Sequence, residues 1–122
     1  MSDILNLEVY RLAKDFAVDV DLVLKGFSFE VRRLVDQMSG SSISVFSNIR
    51  EGYDSGSKFE YLRFLRYARR SLGEVLSQLN FAFRAKYLGE NSYKKLRNNG
   101  IKLKYKLDAY ISYISEDKVS EW

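Results

Sequence analysis

Residues 57–82 read SKFEYLRFLRYARRSLGEVLSQLNFA, and their periodicity decides the fold. Leu65, Ala68, Leu72, Val75, Leu79 and Ala82 recur at alternating steps of three and four without a break, the spacing of one face of an α-helix. Ser57 and Glu60 stand three apart ahead of that run, a capping-box pattern that starts the helix near Lys58. The helix is expected to end near Tyr87 or Leu88, before Gly89. One apolar seam on an otherwise charged helix must be buried against other elements, so the neighbouring segments decide the architecture.

Those segments show the same period. Upstream, Ser28 is placed to open a helix whose stripe is Val31, Val35, Met38, Ser42, Val45 and Ile49. Gly52 then occupies the position of a left-handed C-terminal cap, and residues 53–56 have turn chemistry. Nearer the N-terminus, Leu5, Val9, Leu12, Phe16, Val20 and Val23 form a further stripe, with Asp3 or Ser2 as its cap and Gly26 at its end. Downstream, Asn91 or Ser92 is expected to cap a helix carrying Tyr93, Leu96, Gly100, Leu103, Leu107, Tyr110 and Ile114. A β-ribbon competes there, because residues 102–110, KLKYKLDAY, alternate apolar and charged side chains behind Asn98-Asn99-Gly100. No earlier strand is available to pair with it, and the helical reading is preferred. The sequence thus predicts one all-α domain over residues 1–122, an antiparallel up-down-up-down four-helix bundle with helices near 3–25, 29–51, 58–87 and 92–116.

Composition narrows the chemistry. The chain has 122 residues, 46% of them hydrophobic, enough for a packed core. It contains no Cys, no His and no Pro, which removes thiolate nucleophiles, imidazole bases, disulfides and Cys/His zinc sites. No metal site or cofactor is expected. Glu51 and Glu74 offer a conceivable di-carboxylate pair, but bundle di-metal sites generally add a Glu-x-x-His pattern, and an enzyme is the least favoured class. No signal or transit peptide is read at the N-terminus, and the longest uncharged run, residues 37–49, is too short and too serine-rich to span a bilayer. A soluble cytoplasmic protein without membrane contact is expected.

Charge is unevenly spread. Residues 1–30 hold three basic and six acidic side chains, whereas residues 61–122 hold thirteen and six, and residues 91–107 hold six basic residues and no acid. A cationic C-terminal half favours an anionic partner, RNA or DNA, although a solvated helix face looks similar. On the third helix Arg63, Arg66 and Arg70 project away from the seam over about 10 Å, a span that reaches successive phosphates, and Tyr67 lies near enough to stack on a base. On the fourth helix Lys95, Lys102 and Lys106 flank the seam on one side, Arg97 and Lys104 on the other. Glu8, Asp15 and Asp19 form an acidic flank on the first helix. With one hand of bundle these acids meet the lysines within the chain. With the other they point outward, and Asp15 and Asp19 are free to meet a basic flank of a second subunit in a head-to-tail ring.

A second stripe on the second helix, Gln37, Ser41, Ser44, Asn48 and Glu51, is short and mostly uncharged. Three readings stay open for it: hydrogen-bonded crowding inside the bundle, a subunit interface through Ser41, Ser44, Asn48 and Glu51, or a ligand site. Around this stripe, residues 42–79, SISVFSNIREGYDSGSKFEYLRFLRYARRSLGEVLSQL, resemble the core signature of the bacterial four-helix-bundle family of 23S rRNA intervening-sequence proteins. The matching positions are Ser47, Asn48, Ile49, Glu51, Gly52, Ser57, Glu60, Phe64, Leu65, Ala68, Ser71, Glu74, Gln78 and Leu79. Phe46 stands where the family usually has Pro, which should leave the second helix straighter, and Arg50 where it usually has Ala. The resemblance implies a four-helix bundle that assembles as a ring, typically a homopentamer. It also implies distant kinship to the nucleic-acid-binding accessory protein of diversity-generating retroelements. Two functional expectations follow: a homo-oligomeric accessory protein binding nucleic acid through Arg63, Arg66, Arg70, Lys95, Arg97, Lys102, Lys104 and Lys106, or a scaffold whose partner is another protein.

Overall fold

A computed structural model describes residues 3–116. Four helices account for most of them: α1, Glu8–Leu24; α2, Arg32–Tyr53; α3, Lys58–Arg84; and α4, Glu90–Ser115. No strand occurs among the described residues, so the KLKYKLDAY segment is helical. The backbone amides there are paired along α4 itself and need no partner strand. Among the described residues no helix is long and apolar enough to cross a membrane.

Inter-helix contacts run in opposite numerical order between α2 and α3 and between α3 and α4, as antiparallel packing requires. Between α2 and α3, Ser41 meets Glu74 and Ser44 meets Ser71. Between α3 and α4, Tyr61 meets Tyr110 and Asn80 meets Tyr93. Tyr10 of α1 packs edge-on against Phe46 of α2, and Glu8 of α1 reaches Lys106 of α4. Each helix therefore lies beside its chain neighbours, and α4 closes on α1.

The core runs along the centre. All six seam residues of α3 are buried, together with Tyr61. Met38, Val45 and Ile49 of α2, Leu96, Leu103 and Leu107 of α4, and Val9, Phe16 and Val20 of α1 complete it. Gly100 lets α4 approach closely: a Cβ there would lie 2.7 Å from Leu76 Cδ2 and 3.1 Å from Phe16 Cζ. Phe46, in the place of the family's proline, supplies a ring to the α1–α2 contact. Arg50 pairs with Asp54 one turn on, at 2.9 Å.

Helix ends depart from the sequence expectations in several places. The first helix does not begin at residue 3: the Asp3 carboxylate accepts from the Leu5 amide and caps a single 3-10 turn, Leu7 is extended, and α1 starts at Glu8. The Ser2 cap lies outside the described residues. Ser28 likewise caps a 3-10 turn, Phe29–Val31, before α2 begins at Arg32. Gly52 is not a left-handed cap: it is buried inside α2, and Gly56, at φ 72°, makes the turn into α3. Ser57 Oγ accepts from the Glu60 amide as the capping box requires, but the Glu60 carboxylate turns to Arg63 instead of back to Ser57. At its far end α3 stops at Arg84, where Lys86 at φ 68° donates to Phe83 O and Tyr87 donates to Ala82 O. This is a Schellman motif with lysine in the usual glycine position. The extended backbone of Gly89, and not Asn91 or Ser92, is the N-cap of α4.

A candidate nucleic-acid interface

The serine stripe of α2 faces α3. Ser41 Oγ is 3.0 Å from Glu74 Oε2 and from Gln37 O. Ser44 and Ser71 share a 2.9 Å hydroxyl contact, and the Asn48 amide nitrogen donates to Ser44 O and Oγ. Small side chains allow these two helices to approach, and the hydroxyls satisfy one another across the seam. Ser41, Ser44 and Asn48 therefore have partners within the chain, while Glu51 is exposed farther along α2. Glu51 lies ten residues, about 15 Å of helix, from Ser41 and its partner Glu74, so the two carboxylates do not form one site. No group of three or more potential metal ligands occurs among the described residues.

The cations of α3 and α4 sort into two populations. On the α1 side of α4, Lys106 pairs with Glu8 at 3.2 Å. Lys102 lines a cleft with Asp15 and Asp19, and Lys95 lines another with Asp19. Glu8 thus meets this lysine flank within one chain, and Asp15 and Asp19 share clefts with it but form no ion pair among the described residues. The Glu8–Lys106 pair remains largely at the surface and contributes only about 0–1 kcal/mol, but acids beside lysines offset one another's field for a distant anion.

The other population is concentrated on α3. Arg63, Arg66 and Arg70 are exposed on its outer face, and Arg84 stands on the same face toward its C-terminal end. Arg63 pairs with Glu60 at 2.8 Å, which raises its pKa further above its ordinary value and fixes its charge. The guanidiniums of Arg63 and Arg70 each lie 5.6 Å from the Tyr67 ring centroid. Tyr67 therefore already has two cations against its ring, which counts against it as a stacking platform. Arg66, Arg70 and Arg84 have no ion pair among the described residues. On the neighbouring flank of α4, Arg97 is exposed, Lys104 pairs with Asp108 at 3.1 Å, and Arg69 of α3 reaches the same carboxylate at 3.4 Å. Arg69 and Arg84 were not among the residues singled out from the sequence. Their spacing from Arg66 and Arg70 carried a signal, since Arg84 is fourteen residues, close to four turns, beyond Arg70.

These features define a class: an antiparallel four-helix bundle with a cationic outer face on α3 that continues onto α4. The chain belongs to the 23S rRNA-intervening sequence protein family, whose model matches residues 5–109. The same fold occurs in the crystal structure of a protein of unknown function from the S23 ribosomal protein family of Bacteroides thetaiotaomicron VPI-5482. That structure aligns with a TM-score of 0.80 at 23% identity, over 85% of this chain and 95% of the other. No curated protein matches the chain.

Proposed function

We propose that this protein is a non-enzymatic, cytoplasmic accessory protein that binds nucleic acid along the outer face of α3 and works as a homo-oligomer, a ring of about five copies as the family resemblance implies. The observation that carries the reading is the segregation of charge. The acids of α1 are aligned with Lys95, Lys102 and Lys106, while Arg66, Arg70 and Arg84 stand on α3 without a carboxylate partner among the described residues. Arg97 and Lys104 extend this cationic face onto α4. Repeating such a face around an assembly raises avidity steeply without any new contact.

Binding of this kind depends on counterion release, so retention of an RNA or DNA pool should fall by roughly tenfold or more between about 50 and 200 mM salt. Replacing Arg66 and Arg70 with Ala should reduce the salt slope by about one for each phosphate that is no longer neutralised. A salt-independent response, or unchanged binding in the double variant, would overturn the proposal. A second reading draws on a different observation. Ala17, Val18, Ile43 and Phe46 line an apolar cleft of about 240 Å³ between α1 and α2, which suits a polypeptide partner. Capture of a protein that survives nuclease treatment and disappears when Ile43 is replaced by Asp would favour that reading.

A further inference from the structure

The C-terminal third of α3 carries a feature that phosphate binding alone leaves unexplained. Ser77, Asn80, Phe81, Arg84 and Ala85 line an open cleft of about 500 Å³. The Phe81 ring is 57% exposed, and Tyr87, 46% exposed, lies with its ring centroid 6.5 Å away at a 59° tilt. The turn through Lys86 brings Tyr87 back here, since the Tyr87 amide is tied to Ala82 O at 2.8 Å. Asn80 donates to Tyr93 Oη at 3.0 Å, which leaves its amide oxygen as an acceptor beside the cleft. Behind it Phe83 and Tyr93 are stacked at 4.5 Å, so the wall is rigid.

A single exposed phenylalanine needs no explanation. An exposed aromatic ring, an arginine without an ion pair among the described residues and a hydrogen-bond acceptor around one cleft, on the helix face that already carries Arg66 and Arg70, form a combination of a different kind. Two other aromatic positions beside arginines lack it. The Phe29 ring, 76% exposed, already has Arg32 4.5 Å from its centroid, and Tyr67 has Arg63 and Arg70. Phe81 lies about 16 Å along α3 from Arg70, within reach of the same short oligonucleotide. Aromatic side chains stack on the π-face of any base, but in a duplex those faces are already covered by neighbouring base pairs.

Resting on the proposed nucleic-acid binding, we infer that the Phe81–Arg84 cleft is a stacking subsite for an unpaired nucleobase, and that the nucleic acid bound along α3 is single-stranded. Phe81 supplies the platform, and Tyr87, tilted against its ring, holds it in place. Arg84 holds the adjoining phosphate, and Asn80 accepts from an exocyclic amine. Base stacking and a phosphate contact do not distinguish ribose from deoxyribose, so RNA and DNA single strands share the same recognition.

The test uses the full chain and fluorescence anisotropy with four labelled probes of equal length: a single-stranded RNA, a single-stranded DNA, a DNA duplex and an abasic single strand. Wild type should bind both single strands more tightly than the abasic strand or the duplex. Phe81→Leu, a change at an exposed position, should weaken the two base-bearing strands roughly tenfold. It should leave the abasic strand and the salt slope unchanged, while Phe81→Trp restores binding. Binding unaffected by Phe81→Leu, an equal weakening on the abasic strand, or a preference for the duplex would overturn the subsite while leaving phosphate binding intact. Failure of every probe to bind at low salt would remove the nucleic-acid reading itself.

Discussion

At the scale of single residues, two backbone positions test how the chain achieves its packing. A Cβ on Gly52 would lie 2.9 Å from Phe64 Cβ, 3.0 Å from Tyr61 Cδ1 and 3.2 Å from the Tyr61 carbonyl oxygen. Two of these neighbours belong to the backbone or its first side-chain atom and cannot rotate away. Gly52→Ala should therefore destabilise the protein by about 1–3 kcal/mol in urea unfolding, although alanine is the better helix former. The opposite sign is expected at Lys86, where an L-residue occupies the left-handed region at φ 68°. Lys86→Gly should relieve most of a strain of roughly 1–2 kcal/mol, offset in part by the greater entropy of glycine in the unfolded chain. A net gain of about 0.5–1 kcal/mol is expected. Reduced stability in Lys86→Gly would mean that the lysine side chain makes a compensating interaction.

At the scale of elements, α3 and α4 are joined by a pair of phenols, one buried and one half-buried. Tyr61 and Tyr110 share a 2.8 Å hydroxyl contact, and burial, the largest cause, raises both pKa values above the ordinary 10.0. A raised folded-state pKa means stability fully present below about pH 10 and lost as pH rises, because the unfolded phenols ionise while the folded ones resist. The wild type should lose more stability than Tyr61→Phe/Tyr110→Phe between roughly pH 9 and 11. Equal losses in chemical denaturation would show that this pair does not contribute to the alkaline limit. Legibility follows the same elements. The α3 seam was readable because one helix buried on one face obeys a single period. On α1 the period shifted: Leu5 falls before the helix and is 56% exposed, whereas Tyr10, Ala13 and Ala17 are buried because α1 packs on both α2 and α4. The helix ends were less legible. Gly52 signalled a cap but serves close packing, and a lysine in the left-handed region has no sequence signature. Outward projection of Arg63, Arg66 and Arg70 could be read from spacing. The Phe81–Tyr87 juxtaposition could not, since it depends on that turn.

For the whole molecule, the decisive quantity is the hand of the bundle, which the sequence left open and which sets where the charges go. With α4 against α1, Glu8 reaches Lys106, and Asp15 and Asp19 share clefts with Lys102 and Lys95. One side is thereby close to neutral, and the net charge of +4 is expressed mainly through α3 and the adjoining flank of α4. Reversing Asp15 and Asp19 to Lys tests this arrangement against a role in subunit contact, because the two roles respond in different measurements. Within one chain, the reversal places like charges beside Lys102 and Lys95, so stability should fall by about 1 kcal/mol in total, with most of that decrease recovered near 1 M salt. The native mass should stay that of the wild type, and polyanion affinity should rise because the lysine flank is no longer offset. If the acids instead joined one subunit to the next, the same variant would change the native mass and leave the denaturation midpoint of the separated subunit where it was. Native mass spectrometry beside urea unfolding at two salt concentrations separates these outcomes.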